Sequence, residues 1–432
     1  MTSTKISTVQ EAIDKGTGTV QLKGWAYRER KSNAFAFVIL RDDTNIIQCV
    51  IKKEDVSSQI WEAVQKVTIE SSLEIEGTLK EDKRAPTGYE VQVKDLKVIH
   101  IAERFPITKD QSEEFLLDKR HLWIRSRELT NVWKVKEQVL KACRTFFEEQ
   151  KFHEVTPPII TGSSCEGGST LFEMKYFTEK AYLSQSAQLY LEALIFSLKK
   201  VWSLTPSFRA EPSKTSRHLT EYWHLEAEAA WMNFEELLKF EEELISHICQ
   251  HVAKNCREEL KMLGRDYKDL EKIKPPFPRI TYDEALKLLK EDGMDVPWGK
   301  DLRTLEEEQL MKHYQKPLLV MKYPKEVKAF YMRDDSENPK VVLCCDVLAP
   351  EGFGEIIGSS ERETDVNVLI DKLKKQGEKP EKYEWYLDLR RYGSVTHSGF
   401  GLGIERIVRW FCKLDTIRDS IPFPRTIRRM TP

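Results

Sequence analysis

Arg209 and Arg406 are the residues whose placement first suggests chemistry. Arg209 shares a face with Glu211 on the outgoing strand of residues 207–231, which predict a strand, a polar loop and a returning antiparallel strand. Arg406 falls in the first turn of a helix predicted at 404–411, where the helix dipole disfavours a cation. Such an arginine needs a compensating anion. Cations facing carboxylates suit a nucleotide triphosphate beside an amino acid's ammonium group, and a solvated ladder of salt bridges is the competing interpretation.

The predicted loop and returning strand add further polar groups. The loop supplies Arg217 and His218. A period of two gives the returning strand a polar face and an apolar face. The polar face carries Tyr222, His224, Glu226 and Glu228, and the apolar face carries Leu219, Trp223, Leu225 and Ala227. We therefore expect one face to be core and the other to be a site.

A third stretch, CCDVLAPEGFGEIIGSSER, places Asp346 and Glu355 on successive predicted strands. A pair of carboxylates beside phosphates suits Mg²⁺, which binds few protein ligands and keeps several waters. Two unrelated surface carboxylates would have the same spacing, so both interpretations stay open at this point.

Composition excludes several classes of protein. The sequence has no GxxxxGK[ST] phosphate loop, and its eight cysteines show no CxxC pairing of the zinc-site kind. No apolar run approaches the roughly 20 residues that cross a bilayer, and the first fifteen residues lack the apolar stretch of a secretory signal, so we expect no membrane partner and a cytoplasmic location. The net charge of −2 requires any nucleic acid to bind a local basic patch.

The first hundred residues predict a small barrel. Five short strands between residues 20 and 101, separated by polar, Gly and Pro turns, indicate a closed barrel of the OB type. Phe35 and Phe37 share a face and have basic neighbours that include Arg28. Aromatic rings among cations suit stacking on single-stranded bases, and burial of both rings in the barrel core is the alternative.

The rest of the chain predicts helices and strands in alternation. A charged connector at 102–125 precedes a helix at 130–150, and a second long helix is expected at 234–263. Residues 265–335 suggest an inserted lobe. The remaining segment alternates strands with glycine-rich turns before the final helix.

Three stretches together resemble the signature motifs of class II aminoacyl-tRNA synthetases. They are VTPP for motif 1, FRAE with RHLTEYW for motif 2, and GFGLGIERIV for motif 3, in the family's order. The resemblance covers essentially the whole chain, and it is to the aspartyl and asparaginyl subgroup (subclass IIb), most nearly its archaeal-like asparaginyl members. It implies an α+β protein with an OB-fold anticodon-binding domain at 1–103, a linker at 104–128 and a catalytic domain at 129–432. Because motif 1 builds the dimer interface in this class, it also implies a homodimer.

The resemblance assigns ATP and Mg²⁺ to the residues singled out above. Arg209 would hold the α-phosphate, Arg217 and His218 the β and γ region, and Arg406 the γ-phosphate. Tyr222 would stack on adenine; the family usually has phenylalanine there, which has the same aromatic face. Asp346 and Glu355 would bind Mg²⁺, and Glu211 completes the ATP site. Arg209 and Arg406 would be the catalytic pair.

The amino acid expected from the resemblance is asparagine. In aspartyl enzymes the segment QSPQLYK supplies a lysine that pairs with the substrate's carboxylate, whereas LSQSAQLYLE has Leu191 at that place. A buried carboxylate without its cation would cost several kcal/mol, and a neutral amide would not. Arg362 would donate to the amide oxygen, and Glu226 would accept from the ammonium or amide NH₂ group. The other residues expected in the amino-acid pocket are Glu166, Ser186 and Gln188.

The barrel would bind the anticodon of tRNA(Asn). Phe37 would stack on the central uridine and Gln48 would bond its edge, with Arg28 nearby. Alternative functions are an aspartyl enzyme, either specific or one that also charges the asparagine tRNA, an asparagine synthetase on the same catalytic domain, and a non-catalytic paralogue. The intact barrel residues count against the second, and the retained ATP ligands count against the third.

Overall fold

The computed structural model describes residues 6–162, 165, 170–211 and 217–432. The chain divides into two compact units, Met1–Lys119 and Arg120–Pro432. The division falls inside the connector expected at 104–128, although the domain limits given above stay predictions. In the described chain, none of the helices combines the length and the apolar character needed to span a membrane.

The first unit is a five-stranded barrel. Its elements are α1 (Val9–Lys15), β1 (Gly18–Lys31), β2 (Phe35–Arg41), β3 (Ile46–Lys52), α2 (Ser58–Lys66), β4 (Ser72–Glu81), β5 (Tyr89–His100) and α3 (Glu113–Asp118), with a 3₁₀ turn at Lys53–Asp55. The strands close in the order β1-β2-β3-β5-β4 because β1 pairs with both β2 and β4. Alternate residues of β2, namely Ala36, Val38 and Leu40, are fully buried inside. The predicted OB-type barrel is confirmed.

The second unit is built on an eight-stranded mixed sheet. Its helices are α4 (Arg120–Trp123), α5 (Arg127–Glu149), α6 (Gln188–Leu198), α7 (Phe234–Asn255), α8 (Arg257–Met262), α9 (Tyr267–Glu271), α10 (Tyr282–Glu291), α11 (Thr304–Leu310), α12 (Val366–Lys375), α13 (Glu384–Arg391) and α14 (Ile404–Cys412). Its strands are β6 (His153–Glu154), β7 (Ile160–Thr161), β8 (Glu173–Tyr176), β9 (Glu179–Leu183), β10 (Lys200–Phe208), β11 (Glu221–Ala230), β12 (Arg279–Thr281), β13 (Leu318–Met321), β14 (Cys344–Ala349), β15 (Gly354–Glu361) and β16 (His397–Gly403). Further 3₁₀ turns are Met311–His313, Lys325–Val327, Pro380–Tyr383 and Ile417–Ser420.

The large sheet runs β12-β13-β14-β15-β16-β11-β10-β6, and β7-β9-β8 form a separate small sheet. Only the β12–β13 and β10–β6 pairs within the large sheet are parallel among the described strands. Helices α5, α7 and α14 bury their apolar stripes against strands from this sheet in one core. The α+β arrangement expected from the sequence is confirmed.

The structure adds detail to two regions described in the sequence analysis, a long helix and the region that follows it. The helix expected at 234–263 ends at Asn255, and α8 follows after a break at Cys256, whose backbone is not helical (φ −126°, ψ 34°). Cys256 and Leu260 are nevertheless buried in the same core. Because the apolar spacing continues through the break, hydrophobic periodicity alone predicted one helix where there are two. The region at 265–335, expected as an inserted lobe, contributes β12 and β13 to the large sheet.

Candidate active site

The predicted hairpin of motif 2 forms β10 and β11, which are antiparallel neighbours. On its other side β11 pairs with β16, so that Glu226 lies opposite Gly401 and Glu228 opposite Gly399. Leu225 and Ala227 face the helical core, as the period of two predicts. Trp223 is an exception: its side chain is 41% exposed. The prediction that it is core was wrong, because Trp223 lies outside the apolar cluster that contains Leu225 and Ala227.

The seven residues predicted to bind ATP line one cleft. They are Arg209, Glu211, Arg217, His218, Tyr222, Glu355 and Arg406. The cleft encloses about 740 Å³ of space that opens to solvent. The Arg209 guanidinium lies over the Tyr222 ring, 5.7 Å from its centroid. Residues far apart in sequence, from β11, β15, α14 and the segments beside β10 and β11, thus converge as the motifs predicted. Arg209 and Glu211 were expected on the outgoing strand, but β10 ends at Phe208, just before them.

Arg406 has the compensating anion that its position in the first turn of α14 requires. Its Nη1 lies 2.9 Å from Glu355 Oε2 and also donates to the Glu355 carbonyl oxygen at 2.9 Å. Burial disfavours the charge on Arg406, but the Glu355 carboxylate holds the pKa of Arg406 above its usual value. Burial and the neighbouring Arg406 lower the pKa of His218. The cleft therefore presents positive charge from arginine and a neutral imidazole near neutral pH.

Asp346 and Glu355 bring carboxylate oxygens to the same place. They lie on neighbouring strands, and a Cβ built on Gly358 would meet Glu355 Oε1 at 3.2 Å and Asp346 Oδ1 at 3.8 Å. A side chain at position 358 would fill the space between the two carboxylates. Hard oxygen donors around such a cradle fit Mg²⁺, whose remaining ligands would be water and phosphate oxygens. In the protein alone their charge is balanced by Arg406 on one side and by Lys328, 2.7 Å from Asp346 Oδ2, on the other.

A second cavity adjoins the first and holds four of the residues predicted to bind the amino acid. They are Ser186, Gln188, Glu226 and Arg362. The two cavities share Arg209, His224, Glu355 and Gly401 as lining. An amino acid in the second cavity would therefore have its carboxylate beside the arginine expected at the α-phosphate.

Glu226 and Arg362 are both buried and both bonded. Glu226 accepts hydrogen bonds from Ser186 Oγ and, at 2.7 Å, from the Ala187 backbone N–H. Burial raises the pKa of Glu226, and these two bonds oppose that effect. Arg362 donates to Glu228 Oε1 from Nη2 at 2.5 Å and from Nε at 3.1 Å, and to Ser360 Oγ at 2.7 Å. The nearby glutamates keep the pKa of Arg362 above its usual value despite burial.

Two further residues predicted for the amino-acid pocket do not join this group. Leu191 is fully buried and packs in a cluster with Ala187, Ile195, Val201 and Ala230. It does not line the cavity, so its placement in the pocket is corrected, although it lies only one helical turn after Gln188 in α6. Glu166 lies outside the described residues.

The residues predicted to bind the anticodon share the outer face of the barrel. Arg28 is opposite Ile39, which in turn is opposite Gln48, so these three form a row across β1, β2 and β3. Phe37 lies two residues from Ile39 on the same face, and its ring is 6.4 Å from that of Phe35 at an interplanar angle of 21°. Phe35 is 40% exposed. Burial of the two rings in the barrel core is therefore excluded.

Comparisons with known proteins agree with this geometry. Residues 112–427 match the family described as tRNA synthetases class II (D, K and N), and residues 20–99 match the OB-fold nucleic acid binding domain. The chain is 52% identical over 414 residues to the asparagine–tRNA ligase of Thermococcus kodakarensis, with 96% of each chain covered. The chain belongs to the class II tRNA synthetases.

Two solved synthetase structures are similar over their whole length. The asparaginyl-tRNA synthetase of Pyrococcus horikoshii complexed with asparaginyl-adenylate has a TM-score of 0.95 and 49% identity, with both chains covered completely. The Entamoeba histolytica asparaginyl-tRNA synthetase in complex with asparaginyl-adenylate has a TM-score of 0.90 and 34% identity, again with complete coverage. The relationship therefore includes the barrel, the cleft and the second cavity of this synthetase.

Two charged groups that the sequence motifs did not assign pair with residues that line the second cavity of the synthetase. Glu228, which binds Arg362, lies on the polar face that the period of two identifies, so the signal for it was present. Lys328 lines the cavity and pairs with Asp346. Nothing in the spacing around Lys328 pointed to the site, because it comes from the region expected to be an inserted lobe.

A buried network supports Gln188 from behind. Gln188 Nε2 donates to Glu192 Oε1 at 3.0 Å, and Glu192 accepts from Arg390 at 2.5 Å and from the Tyr386 hydroxyl at 2.8 Å. The side chains of Glu192, Arg390 and Tyr386 are all buried from solvent. Such a network fixes the direction of Gln188 before substrate arrives. Its members lie in α6 and α13, and only contact in three dimensions reveals them.

Proposed function

We propose that the chain is an asparagine–tRNA ligase that activates L-asparagine with ATP and transfers it to tRNA(Asn). The observation that carries the proposal is the shared wall of the two cavities. A cleft lined by three arginines opens onto a polar cavity that is lined by Glu226 and by Arg362, to which Glu228 is bonded. Relatives named as asparagine–tRNA ligases support the choice of amino acid.

The first step is attack of the asparagine carboxylate on the α-phosphorus of ATP. A bond forms between a carboxylate oxygen and phosphorus, the bond to the bridging oxygen breaks, and pyrophosphate leaves with its electrons. Arg209, in the shared wall, neutralises charge that develops on the α-phosphate, while Arg406, Arg217 and His218 bind the departing end. A Mg²⁺ ion held by Asp346 and Glu355 would supply further positive charge to the phosphates. The residues orient and neutralise, and no general base is required.

The second step transfers asparagine to the 3′ end of the tRNA. A terminal ribose hydroxyl attacks the carbonyl carbon of the adenylate and loses its proton to solvent, and AMP leaves with the electrons of the broken anhydride bond. Glu226 would hold the substrate's ammonium group throughout both steps. The positive charge of that group stabilises the ionised form of the carboxylate, which burial disfavours.

Asparagine rather than aspartate is favoured by the charge already present around Arg362. Glu228 satisfies two of its nitrogens, and Glu226 lies on the same strand two residues away. A neutral amide can accept from Arg362 through its oxygen and donate through its NH₂ group. An aspartate carboxylate would add a further buried negative charge beside Glu226 and Glu228, where the charge of Arg362 is already neutralised by Glu228. Leu191 does not line this cavity and takes no part in this preference.

Amino-acid-dependent exchange of pyrophosphate into ATP tests the proposal. We expect strong exchange with asparagine and little with aspartate at equal concentration, followed by charging of tRNA(Asn) alone. Equal exchange with aspartate would assign the enzyme to the aspartyl group instead, and asparagine formation from aspartate and ammonia without tRNA would make it a synthetase of the free amino acid.

The barrel face carries the proposed anticodon contact. Because stacking on an aromatic ring is worth about 1–3 kcal/mol per base, Phe37→Ala should raise the KM for tRNA(Asn) by roughly five- to a hundredfold. Asparagine-dependent pyrophosphate exchange, which needs no tRNA, serves as the internal control and should not change. Unaltered charging kinetics would remove Phe37 from the tRNA-binding surface.

Three properties typical of this family belong to the same proposal. They are use of Mg²⁺, assembly as a homodimer and a cytoplasmic location. Titration of chelator against exchange activity tests the first, light scattering of the purified chain tests the second, and fractionation of cells tests the third. A light-scattering mass near that of one 50.5 kDa chain would contradict the homodimer.

A further inference from the structure

Arg217, proposed to bind the β- and γ-phosphates, is held by carboxylates from outside the signature motifs. Its Nη1 lies 3.2 Å from Glu307 Oε2, and its Nη2 lies 2.6 Å from Glu308 Oε1. The same Nη2 donates to the Gly352 carbonyl oxygen at 2.6 Å. Both terminal nitrogens of the guanidinium are thus bonded to protein acceptors, although the side chain lines the nucleotide cleft.

We propose that Glu307 and Glu308 of α11 are positioning residues that act as exchangeable counter-ions for Arg217. They hold the guanidinium when no nucleotide is bound, and the triphosphate must displace them to bind it. As pyrophosphate leaves, the two glutamates take Arg217 back. The inference rests on the proposed role of Arg217 in ATP binding and gives a function to the region at 265–335.

The packing around the pair shows that α11 is built against the nucleotide cleft. Gly354, with a φ of +81°, lies beneath the contact, and a Cβ there would come within 2.6 Å of both Arg217 Nη1 and Glu307 Oε2. Glu307 Oε2 also accepts from the backbone N–H of Glu355 at 3.4 Å. One glutamate oxygen thereby touches the phosphate arginine and the strand that carries Glu355.

Charge determines the direction of the effect. Glu307 and Glu308 compete with phosphate for one cation, and they also repel the anion that approaches it. The side chain of Arg217 is 11% exposed and that of Glu307 is 13% exposed, so solvent screens the contact only in part. The glutamates should therefore weaken binding of ATP and of pyrophosphate, and so favour release of the product.

Neutral variants test the inference. With two partly shielded ion pairs removed, Glu307→Gln/Glu308→Gln should lower the KM for ATP and the KM for pyrophosphate about three- to tenfold in asparagine-dependent exchange. The KM for asparagine should stay constant and report an intact fold. Glu291→Gln, at an exposed position at the end of α10, is the matched control and should change none of these values.

A second background separates this inference from the proposed role of Arg217. In Arg217→Ala the KM for ATP should rise, and adding the two glutamine substitutions should then have no further lowering effect. If Arg217→Ala leaves the KM for ATP unchanged, the role of Arg217 in ATP binding fails and the inference with it. If that KM rises but the glutamine variants do not lower it in the wild-type background, only the inference is overturned. Glu308 is 44% exposed, so Glu308→Gln alone can replace the double variant in both backgrounds should the double variant not fold.

Discussion

The nucleotide cleft and the amino-acid cavity each have an arginine–glutamate ion pair, but the two pairs differ in their exposure to solvent. In the cleft, Arg406 and Glu355 form an ion pair in which the side chains are 30% and 35% exposed. In the cavity, Arg362 and Glu228 form an ion pair in which they are 3% and 1% exposed. Water can reach the first pair and its members can exchange partners, whereas the second pair is fixed by several hydrogen bonds.

This difference matches what each half must recognise. A triphosphate carries enough charge to draw arginines away from their carboxylates, so a cleft of accessible pairs can close on it. An asparagine amide carries no net charge and must be recognised by hydrogen-bond geometry, which requires donors and acceptors held in place beforehand. We expect substitutions in the cleft to act mainly on rate and on ATP, and substitutions in the cavity to act on the choice of amino acid.

The largest effect should come from the arginine that lies in both halves. Arg209→Ala removes the charge proposed to neutralise the α-phosphate in the transition state, and loss of such a group typically costs a factor of about 10³ in kcat. Single-turnover formation of the adenylate measures it directly. Arg209→Lys, which keeps a charge but not the planar fork, should fall between the alanine variant and the wild type. A loss of less than tenfold in kcat for the alanine variant would mean that another residue neutralises the α-phosphate.

Arg362→Lys should reduce activity less than Arg209→Ala does, and the reduction should be confined to the use of asparagine. Lysine keeps the positive charge beside Glu228 but cannot donate to Glu228 and to the amide oxygen in the same geometry, so kcat/KM for asparagine should fall about a hundredfold. The KM for ATP should remain near that of the wild type, which distinguishes the cavity from the cleft. A matching rise in the KM for ATP would show that the two halves are not separable, and a thermal melt checks that the variant is folded.

Discrimination against aspartate should weaken when Glu228 is made neutral. In Glu228→Gln the charge of Arg362 is no longer compensated at short range, and an aspartate carboxylate could then pair with it. The ratio of kcat/KM for asparagine to kcat/KM for aspartate should fall about tenfold. Pyrophosphate exchange with each amino acid measures it. Glu226→Gln is the contrasting variant, because weaker binding of the ammonium group should reduce use of both amino acids alike. An unchanged ratio in Glu228→Gln would mean that discrimination lies in other groups.

The two halves also differ in how far the sequence predicts them. The nucleotide cleft comes from short motifs that resemble those of a known family, so the seven of its lining residues that are predicted to bind ATP follow from the sequence. The amino-acid cavity depends on partners far apart in the chain, such as Arg362 with Glu228 and Lys328 with Asp346. Period two places Glu228 on the correct face of β11 but cannot say what it touches. The OB-type barrel follows from strand spacing, whereas the break at Cys256 does not, because buried side chains continue on both sides of it.

Leu191 lies outside the cavity and gives the smallest expected effect. Since its side chain packs in an apolar cluster behind Gln188, Leu191→Met conserves volume and should leave the KM for asparagine within about twofold, at a cost below about 1.5 kcal/mol in stability. Leu191→Lys should instead lower the melting temperature, because a charge placed in that cluster is desolvated without a partner. Any loss of asparagine use in the lysine variant should accompany the loss of stability. If Leu191→Met raises the KM for asparagine while the melting temperature is unchanged, the side chain contacts the substrate. The amino-acid cavity would then extend past Gln188 to the apolar cluster that contains Leu191.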